Sequence, residues 1–123
     1  MKSWVNLLEF VTAAAPEQGL IFTSVLYEND PDRVDFFQLV RDWALKQNRK
    51  FVPVRLVCDP DELMRRLESP SRDGQYKLTD RMILRELLSK NTLLQPENCF
   101  ELNITALSAN ESAAKIIDYI HSL

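Results

Sequence analysis

The chain alternates between segments with apolar positions at helical spacing and short runs that are mostly apolar. Apolar stripes with a spacing of three to four residues predict helices over five segments: 2–14, 31–46, 60–67, 78–90 and 109–121. Nearly continuous apolar runs rich in β-forming residues predict strands over 20–26 and 51–58, and a third short strand is predicted over 99–104. Because the strands alternate with helices, each strand connection can be a right-handed crossover. The pattern therefore predicts the α/β class with a mostly parallel sheet.

The boundaries of these helices have sequence signals of their own. An Asp-Pro pair opens the second and third helices, with the aspartates at Asp30 and Asp59. In both, the carboxylate can cap the helix while the proline occupies the first turn, where its missing N–H costs nothing. Ser108 and Glu111 form the S-x-x-E pattern of a capping box before the last helix. The polar stretch 68–77, which contains proline and glycine, is predicted to be a mobile loop.

Length, composition and charge narrow the range of functions. A chain of 123 residues that is 46% hydrophobic and 27% charged predicts one domain spanning residues 1–123. The formal net charge of −3 argues against a basic face that binds nucleic acid. The N-terminus lacks the pattern of a signal peptide, and no apolar window reaches the length of a membrane span. We therefore expect a cytoplasmic protein that binds neither nucleic acid nor membranes.

Few side chains are available for metal, redox or loop-based phosphate chemistry. Cys58 and Cys99 lie in apolar stretches, which favours reduced core thiols over a disulfide. His121 is the only histidine, so the sequence predicts no metal site. Gly19 and Gly74 are too few and too far apart to build a glycine-rich phosphate-binding loop.

One segment is basic within this acidic chain. Between residues 65 and 85 lie six basic side chains against three acidic ones, a local surplus of +3. Arginine binds phosphate oxygens through a fork of N–H groups and stays charged at any working pH, so this segment could close over a polyphosphate. The same residues also fit a solvated helix face with i,i+4 ion pairs, such as Glu62 with Arg66. Taken alone, the residues favour the second interpretation.

The order of short motifs along the chain resembles that of a family of small kinases. These motifs are an F-V-P-V-x-L-V-C-D-P strand and turn, an E-L-x-R-R-L helix, an S-R loop, a K-L-T-D helix and an S-x-x-E-x-A-x-x-I helix. Together they resemble the C-terminal two thirds of P-loop kinase-like proteins, often labelled AAA-type ATPases, near shikimate kinase and chloramphenicol phosphotransferase. The resemblance spans residues 4–123. It implies a P-loop NTPase-like fold with three α-β-α layers.

The resemblance also implies where a site would lie. In the family, a lid that matches residues 65–78 closes its arginines on the phosphates of ATP during transfer. Arg66 matches the helix arginine of this lid and Arg72 the loop arginine, which implies a catalytic role for both. Arg65 is an alternate for Arg66, and it is implied, together with Lys77, in binding phosphate or substrate. The acceptor implied for the full-length parent is a small molecule.

The chain departs from this family in its phosphate-binding machinery. Thr23 and Ser24 end the strand that matches the Walker B strand, where the usual aspartate is missing, so no Mg²⁺ ligand is assigned. The Walker A strand and its glycine loop have no counterpart. Three explanations stay open: a fragment of a longer kinase-like protein, a misassigned or split gene, or a relative that has lost catalysis. We expect ATP and Mg²⁺ to serve the full-length parent, and this chain alone to bind neither tightly and to be inactive.

The missing Walker strand has a structural consequence. In the family it lies between the strands that match residues 20–26 and 51–58, so its absence leaves two apolar strands facing a gap. Unpaired backbone groups in a buried sheet cost about 1–3 kcal/mol each. We predict that the two strands pair directly or that a second molecule inserts a segment. The alternative function is a non-catalytic interaction module that self-associates or binds a protein partner through an open sheet edge.

Overall fold

The computed structural model describes residues 2–14, 17–68 and 81–123. Over these ranges the elements are α1 (Lys2–Ala14), α2 (Pro31–Lys46), β1 (Val54–Val57), α3 (Pro60–Leu67), α4 (Arg81–Lys90), β2 (Phe100–Asn103) and α5 (Ala109–His121). The chain is thus mixed helix and strand, as predicted. Its contacts divide it into two units, Met1–Phe51 with Thr92–Leu94 and Val52–Asn91 with Gln95–Leu123. None of the helices in the described ranges is long and apolar enough to cross a membrane.

Apolar burial between α1 and α2 holds the first unit together. Leu8 of α1 packs with Val40, Trp43 and Ala44 of α2, and we call these four buried residues the Trp43 cluster. Burying side chains of this kind contributes about 1.5–3 kcal/mol for each large one. The α2 members belong to the apolar stripe predicted from the sequence. The stripe therefore identified the face of α2 that forms this core.

The end of α2 is fixed by a turn in which one residue is left-handed. Asn48 has a φ of 54°, a conformation that asparagine tolerates better than most residues. Its N–H donates to the carbonyl of Leu45 at 3.2 Å, and the N–H of Arg49 donates to the carbonyl of Ala44 at 2.9 Å. This is the Schellman pattern of helix termination. The turn also leaves the guanidinium of Arg49 over the ring of Trp43, 5.8 Å from its centre.

The prediction of a buried strand over residues 20–26 is wrong. This segment belongs to no strand, and its nearest ladder contact is an isolated antiparallel bridge between Tyr27 and Leu93. Most of its apolar side chains are exposed, with Ile21 at 92%. Residues that favour strands form one only where a partner supplies hydrogen bonds along their length. Among the described residues, the only bridge to another extended segment lies just beyond the end of this run, at Tyr27.

The two strands of the second unit pair in parallel. The register runs from Val54 opposite Phe100 to Val57 opposite Asn103. β1 lies within the predicted strand 51–58, and β2 is the strand predicted at 99–104. Two alternatives were predicted for the strands over 20–26 and 51–58, and direct pairing is not found, because the described partner of β1 is β2. Insertion of a segment from a second molecule stays a prediction. Parallel strands need a long crossover connection, which the chain between β1 and β2 provides.

An Asp-Pro pair precedes both α2 and α3, yet the two helices begin differently. A carboxylate oxygen of Asp30 accepts a hydrogen bond from the N–H of Arg33 at 3.4 Å, as predicted for a cap. The side chain of Asp59 makes no capping hydrogen bond. Its backbone N–H instead donates to Oγ1 of Thr105 at 2.9 Å. The predicted cap is therefore correct for α2 and wrong for α3, whose first turn is tied to the segment that follows β2.

The capping box predicted for α5 is present. The N–H of Glu111 donates to Oγ of Ser108, and the N–H of Ser108 donates to a carboxylate oxygen of Glu111, both at 3.1 Å. The helix packs against β2 through Tyr119, whose ring stacks on Phe100 with the centroids 4.3 Å apart. Together these contacts fix both the start of α5 and its position on the sheet.

Two predictions about individual side chains have different outcomes. The apolar stripe that predicts a helix over residues 78–90 includes Met82, but the structure leaves this side chain largely exposed on α4. Cys58 and Cys99 are unpaired thiols, as predicted, and both are half-buried rather than fully enclosed. The apolar pattern of a short helix therefore marks its inner face only approximately.

Candidate site at the carboxyl ends of the strands

The carboxyl ends of β1 and β2 meet at one edge of the sheet. β1 ends at Val57 directly opposite the end of β2 at Asn103. The turn into α3 and the segment 104–108 into α5 therefore leave the sheet side by side. In open parallel sheets, ligands bind outside the carboxyl ends of the strands. This edge is consequently where the fold would place a binding site.

An open groove of about 590 Å³ lies beside this edge, and we call it the carboxyl-edge groove. Its lining comes from β1, α3, the segment after β2 and the start of α5. Apolar side chains predominate, including Leu56, Ile104 and Leu107, while Arg65 and Arg66 supply the positive charge. The groove thus combines an apolar surface with two guanidinium groups.

The carboxylate of Glu62 accepts hydrogen bonds from both of these arginines. Glu62 accepts two hydrogen bonds from Arg65, from Nε at 2.9 Å and from Nη2 at 2.6 Å. It also accepts one from Nε of Arg66 at 2.9 Å. The predicted i,i+4 pair between Glu62 and Arg66 is therefore confirmed. The i,i+3 pair with Arg65 joins it, so one negative charge faces two positive ones.

The two arginines differ in exposure and in their remaining partners. The side chain of Arg65 is 71% exposed, whereas that of Arg66 is 30% exposed. Nη2 of Arg66 points to three backbone carbonyls, with distances of 2.7 Å to Ile104, 3.0 Å to Leu107 and 3.2 Å to Thr105. Arg66 therefore joins α3 to the segment after β2, while Arg65 presents its guanidinium to solvent at the groove.

This arrangement changes the acidity of the groups involved. Hydrogen bonds from Arg65, and then from Arg66, lower the pKa of Glu62 from its ordinary value of 4.5 to about 2. The same hydrogen bond with Glu62 raises the pKa of Arg65. Both groups are therefore charged over the whole working range of pH. The local net charge of this trio is +1.

The carboxylate of Glu111 places a negative charge at the first turn of α5. A helix N-terminus normally attracts negative charge, since its first N–H groups lack partners within the helix. Here the carboxylate of Glu111 occupies that position by accepting from the backbone N–H of Ser108. That hydrogen bond lowers the pKa of Glu111, so its carboxylate stays ionised. A ligand anion in the groove would therefore be drawn to the arginines instead.

Two of the predicted site residues cannot be compared with the structure. Arg72 and Lys77 lie outside the described residues, and so does most of the lid predicted over 65–78. No group of three or more potential metal ligands occurs in the described ranges. The structure therefore brings Arg65 and Arg66 together at one groove, and the roles of Arg72 and Lys77 stay predictions.

Sequence reasoning missed two features of this site. It treated Glu62 only as a surface partner of Arg66, although this carboxylate orients two guanidinium groups. It also missed the segment 104–107, whose carbonyls bind Arg66 from 38 to 41 residues away. Backbone carbonyls have no sequence signature, so only the juxtaposition of the two strand ends could have indicated this contact.

Comparisons of the chain with protein-family models, with curated proteins and with solved structures find no match. The resemblance to P-loop kinases therefore stays a prediction.

Proposed function

We propose that this chain is part of a P-loop kinase-like protein with a three-layer α-β-α fold, and that its carboxyl-edge groove faces ATP. The observation that carries the proposal is the location of Arg65 and Arg66. Both lie on the helix that follows a parallel strand, at the edge of the sheet where such folds bind ligands. The chain alone is inactive, because a chain with only two distant glycines has no glycine loop to hold the β- and γ-phosphates.

The groove has a composition that suits a nucleotide. Its apolar surface, with Leu56 and Leu107, can bury the face of a planar base. Guanidinium groups stack on aromatic rings and bind phosphate oxygens with two parallel hydrogen bonds. Arg65 is the exposed group that can make such contacts, and Arg72 and Lys77 are the predicted contributors from the lid. These residues would bind and neutralise the phosphates of ATP.

Catalysis would need more than this groove supplies. Phosphoryl transfer depends on positioning and on neutralising charge at the transferring group, which Mg²⁺ and several donors share. Mg²⁺ prefers carboxylate and phosphate oxygens and keeps several waters. The described residues offer it no cluster of acidic side chains, so we assign it no ligand. The proposal therefore predicts weak nucleotide binding by this chain and no turnover.

An NMR titration of the ¹⁵N-labelled chain with ATP and Mg²⁺ tests this proposal. We expect chemical-shift changes at the amides of Arg65, Leu107 and Ser108, with an apparent Kd weaker than about 1 mM. A titration that shifts no signal in the groove would contradict the site. Tight binding would contradict the claim that the chain lacks its main phosphate-binding element.

Two substitutions that remove the same charge sharpen this test. Arg65→Ala should reduce the shift changes in the groove, since it removes the exposed guanidinium. Arg41→Ala should leave them unchanged, because Arg41 lies on α2 and pairs with its neighbour Asp42. Equal effects of the two substitutions would show that ATP responds only to the overall charge of the chain.

A second candidate function is a non-catalytic interaction module. Leu56 lies within β1, and its side chain is 46% exposed although parallel sheets are normally covered on both faces. Among the described residues the sheet has only two strands, so each has a single strand partner. Open sheet edges with apolar residues recruit further strands. These observations favour self-association or binding to a protein partner.

Sedimentation equilibrium over a range of concentrations tests the second candidate. We expect a reversible dimer that Leu56→Lys weakens, because a lysine on a strand opposes edge-to-edge pairing. Leu45→Lys is the matched control, since Leu45 is an exposed leucine on α2. A monomer at every concentration, or equal effects of both lysines, would rule this candidate out.

A further inference from the structure

We infer that Arg66 and Glu62 act as a clamp that fixes the segment 104–107 and thereby shapes the carboxyl-edge groove. In this assignment Arg66 is a positioning residue, and Arg65 is the arginine left to contact a ligand. The inference deepens the proposed function and rests on it for the ligand. Its structural part concerns only how α3 holds the segment that leads into α5.

The first argument is the number of contacts that Arg66 already makes within the protein. Nη2 donates to the carbonyls of Ile104 and Leu107 at 2.7 and 3.0 Å, and Nε donates to Glu62 at 2.9 Å. Hydrogen bonds from a charged group are stronger than neutral ones. A phosphate that used these atoms of Arg66 would have to displace carbonyls that then need new partners.

The second argument is that other contacts anchor the start of the segment after β2, while Arg66 reaches its end. Ile104 N–H donates to the carbonyl of Val57 at 2.8 Å, which continues the sheet by one step. Oγ1 of Thr105 donates to Oδ1 of Asn103 at 2.6 Å and accepts from the N–H of Asp59 at 2.9 Å. Arg66 adds the contact to Leu107, one residue before the cap of α5. The clamp therefore fixes the position of Leu107, the residue that leads into α5.

The third argument is the role of Glu62 in orienting the side chain of Arg66. An arginine has several rotatable bonds, and holding it in one position requires a partner along its length. Glu62 holds Nε, which leaves Nη2 directed at the carbonyls. Because Glu62 also binds Arg65, the same carboxylate reduces the positive charge that a phosphate would meet. If the site only attracted phosphate by its positive charge, the carboxylate of Glu62 would weaken the binding.

This point makes Glu62→Gln a decisive substitution. If the arginines act only through their charge, removing the carboxylate raises the local positive charge, and ATP should bind more tightly. If Glu62 and Arg66 form a clamp, the segment 104–107 loosens and ATP should bind about fivefold more weakly. The two interpretations predict changes of opposite sign.

Glu68→Gln is the matched control, because it removes the same charge just beyond the end of α3. Glu68 pairs with Arg81 at 3.2 Å at the surface, whereas the carboxylate that Arg66 binds is that of Glu62. We expect it to leave the amide shifts of residues 104–108 unchanged, whereas Glu62→Gln should move them. These shifts are measured without nucleotide, so they test the clamp even if the groove does not bind ATP.

Arg66→Lys tests the clamp from the other side. Lysine keeps the charge but lacks the planar fork that reaches the carboxylate and the carbonyls together. We expect this variant to disturb residues 104–108 as Glu62→Gln does, while Arg65→Lys leaves them in place. Unchanged amide shifts in both Glu62→Gln and Arg66→Lys would overturn the clamp. Absence of ATP binding in the unsubstituted chain, with the shifts as expected, would overturn only the proposed function.

Discussion

A core in the first unit and a segment of the second unit are held by different kinds of contact. The first rests on the Trp43 cluster, where apolar side chains of two helices bury one another. In the second, the segment between β2 and α5 is held mainly by hydrogen bonds from Arg66 and to Thr105. Apolar burial follows the period of the sequence, whereas these polar contacts join residues about forty positions apart. The first kind of contact is therefore readable from the sequence, and the second is not.

The largest loss of stability should come from a substitution in the Trp43 cluster. Trp43→Ala removes the largest member of the Trp43 cluster and leaves a cavity, so we expect the free energy of unfolding to fall by about 3–5 kcal/mol. Urea denaturation followed by circular dichroism measures it. Leu45→Ala, on the exposed side of the same helix, should change stability by less than about 0.5 kcal/mol. Similar effects of the two substitutions would contradict the assignment of the core.

A smaller loss of stability is expected when the hydrogen bonds of Arg66 are removed. Arg66→Ala removes the hydrogen bonds to Glu62 and to the carbonyls after β2, which should lower the free energy of unfolding by about 2 kcal/mol. Arg65→Ala removes an exposed ion pair with the same Glu62 and should lower the free energy of unfolding by less than Arg66→Ala does. Denaturation of both variants under the same conditions compares them. A larger loss for Arg65→Ala would contradict the difference between these arginines.

The two Asp-Pro helix starts allow a direct comparison between the units. Asp30→Ala removes a capping hydrogen bond and should lower the free energy of unfolding by about 1 kcal/mol. Asp59→Ala keeps the backbone contact to Thr105 and should cost less than about 0.5 kcal/mol. Thermal unfolding of the two variants measures this. Equal losses would show that both carboxylates cap their helices in solution.

The smallest effect concerns pH. Since the folded pKa of Glu62 is lowered to about 2, its contribution to stability is complete above its ordinary pKa of 4.5 and is lost as the pH falls towards about 2. The stability difference between the unsubstituted chain and Glu62→Gln should therefore shrink over this interval. Urea titrations at several pH values measure it, with Glu68→Gln as the control. A difference that stays constant down to about pH 2 would contradict the pairing of Glu62 with the arginines.

Much of the helical structure was predictable, because caps and apolar stripes are local. The capping box of Ser108 and Glu111 and the Asp30 cap were read from a few adjacent residues, and both are present. The strand over residues 20–26 was predicted from a run of apolar, β-forming residues and is absent. A helix satisfies its own backbone, whereas a strand depends on a partner elsewhere in the chain. Local patterns therefore predict helices better than strands.

The sequence singled out two residues that line the candidate groove but did not indicate their contacts. The sequence marked Arg65 and Arg66 as an adjacent basic pair, and both line the carboxyl-edge groove. It could not tell which of them faces outward, because neighbouring positions on a helix differ by about 100° in direction. The exposure of each side chain and the carbonyls near Arg66 distinguish them. The role of each arginine therefore depends on its exposure and its hydrogen-bond partners, which the residue type does not reveal.

The central claim is that the carboxyl-edge groove recognises a nucleotide and that Arg65 contacts its phosphates. The most direct measurement compares the affinities of AMP and ATP for the unsubstituted chain and for Arg65→Ala by NMR titration. We predict that ATP binds more tightly than AMP to the unsubstituted chain, and that Arg65→Ala removes most of this preference. Equal affinity for the two nucleotides, or a preference that survives Arg65→Ala, would contradict the claim.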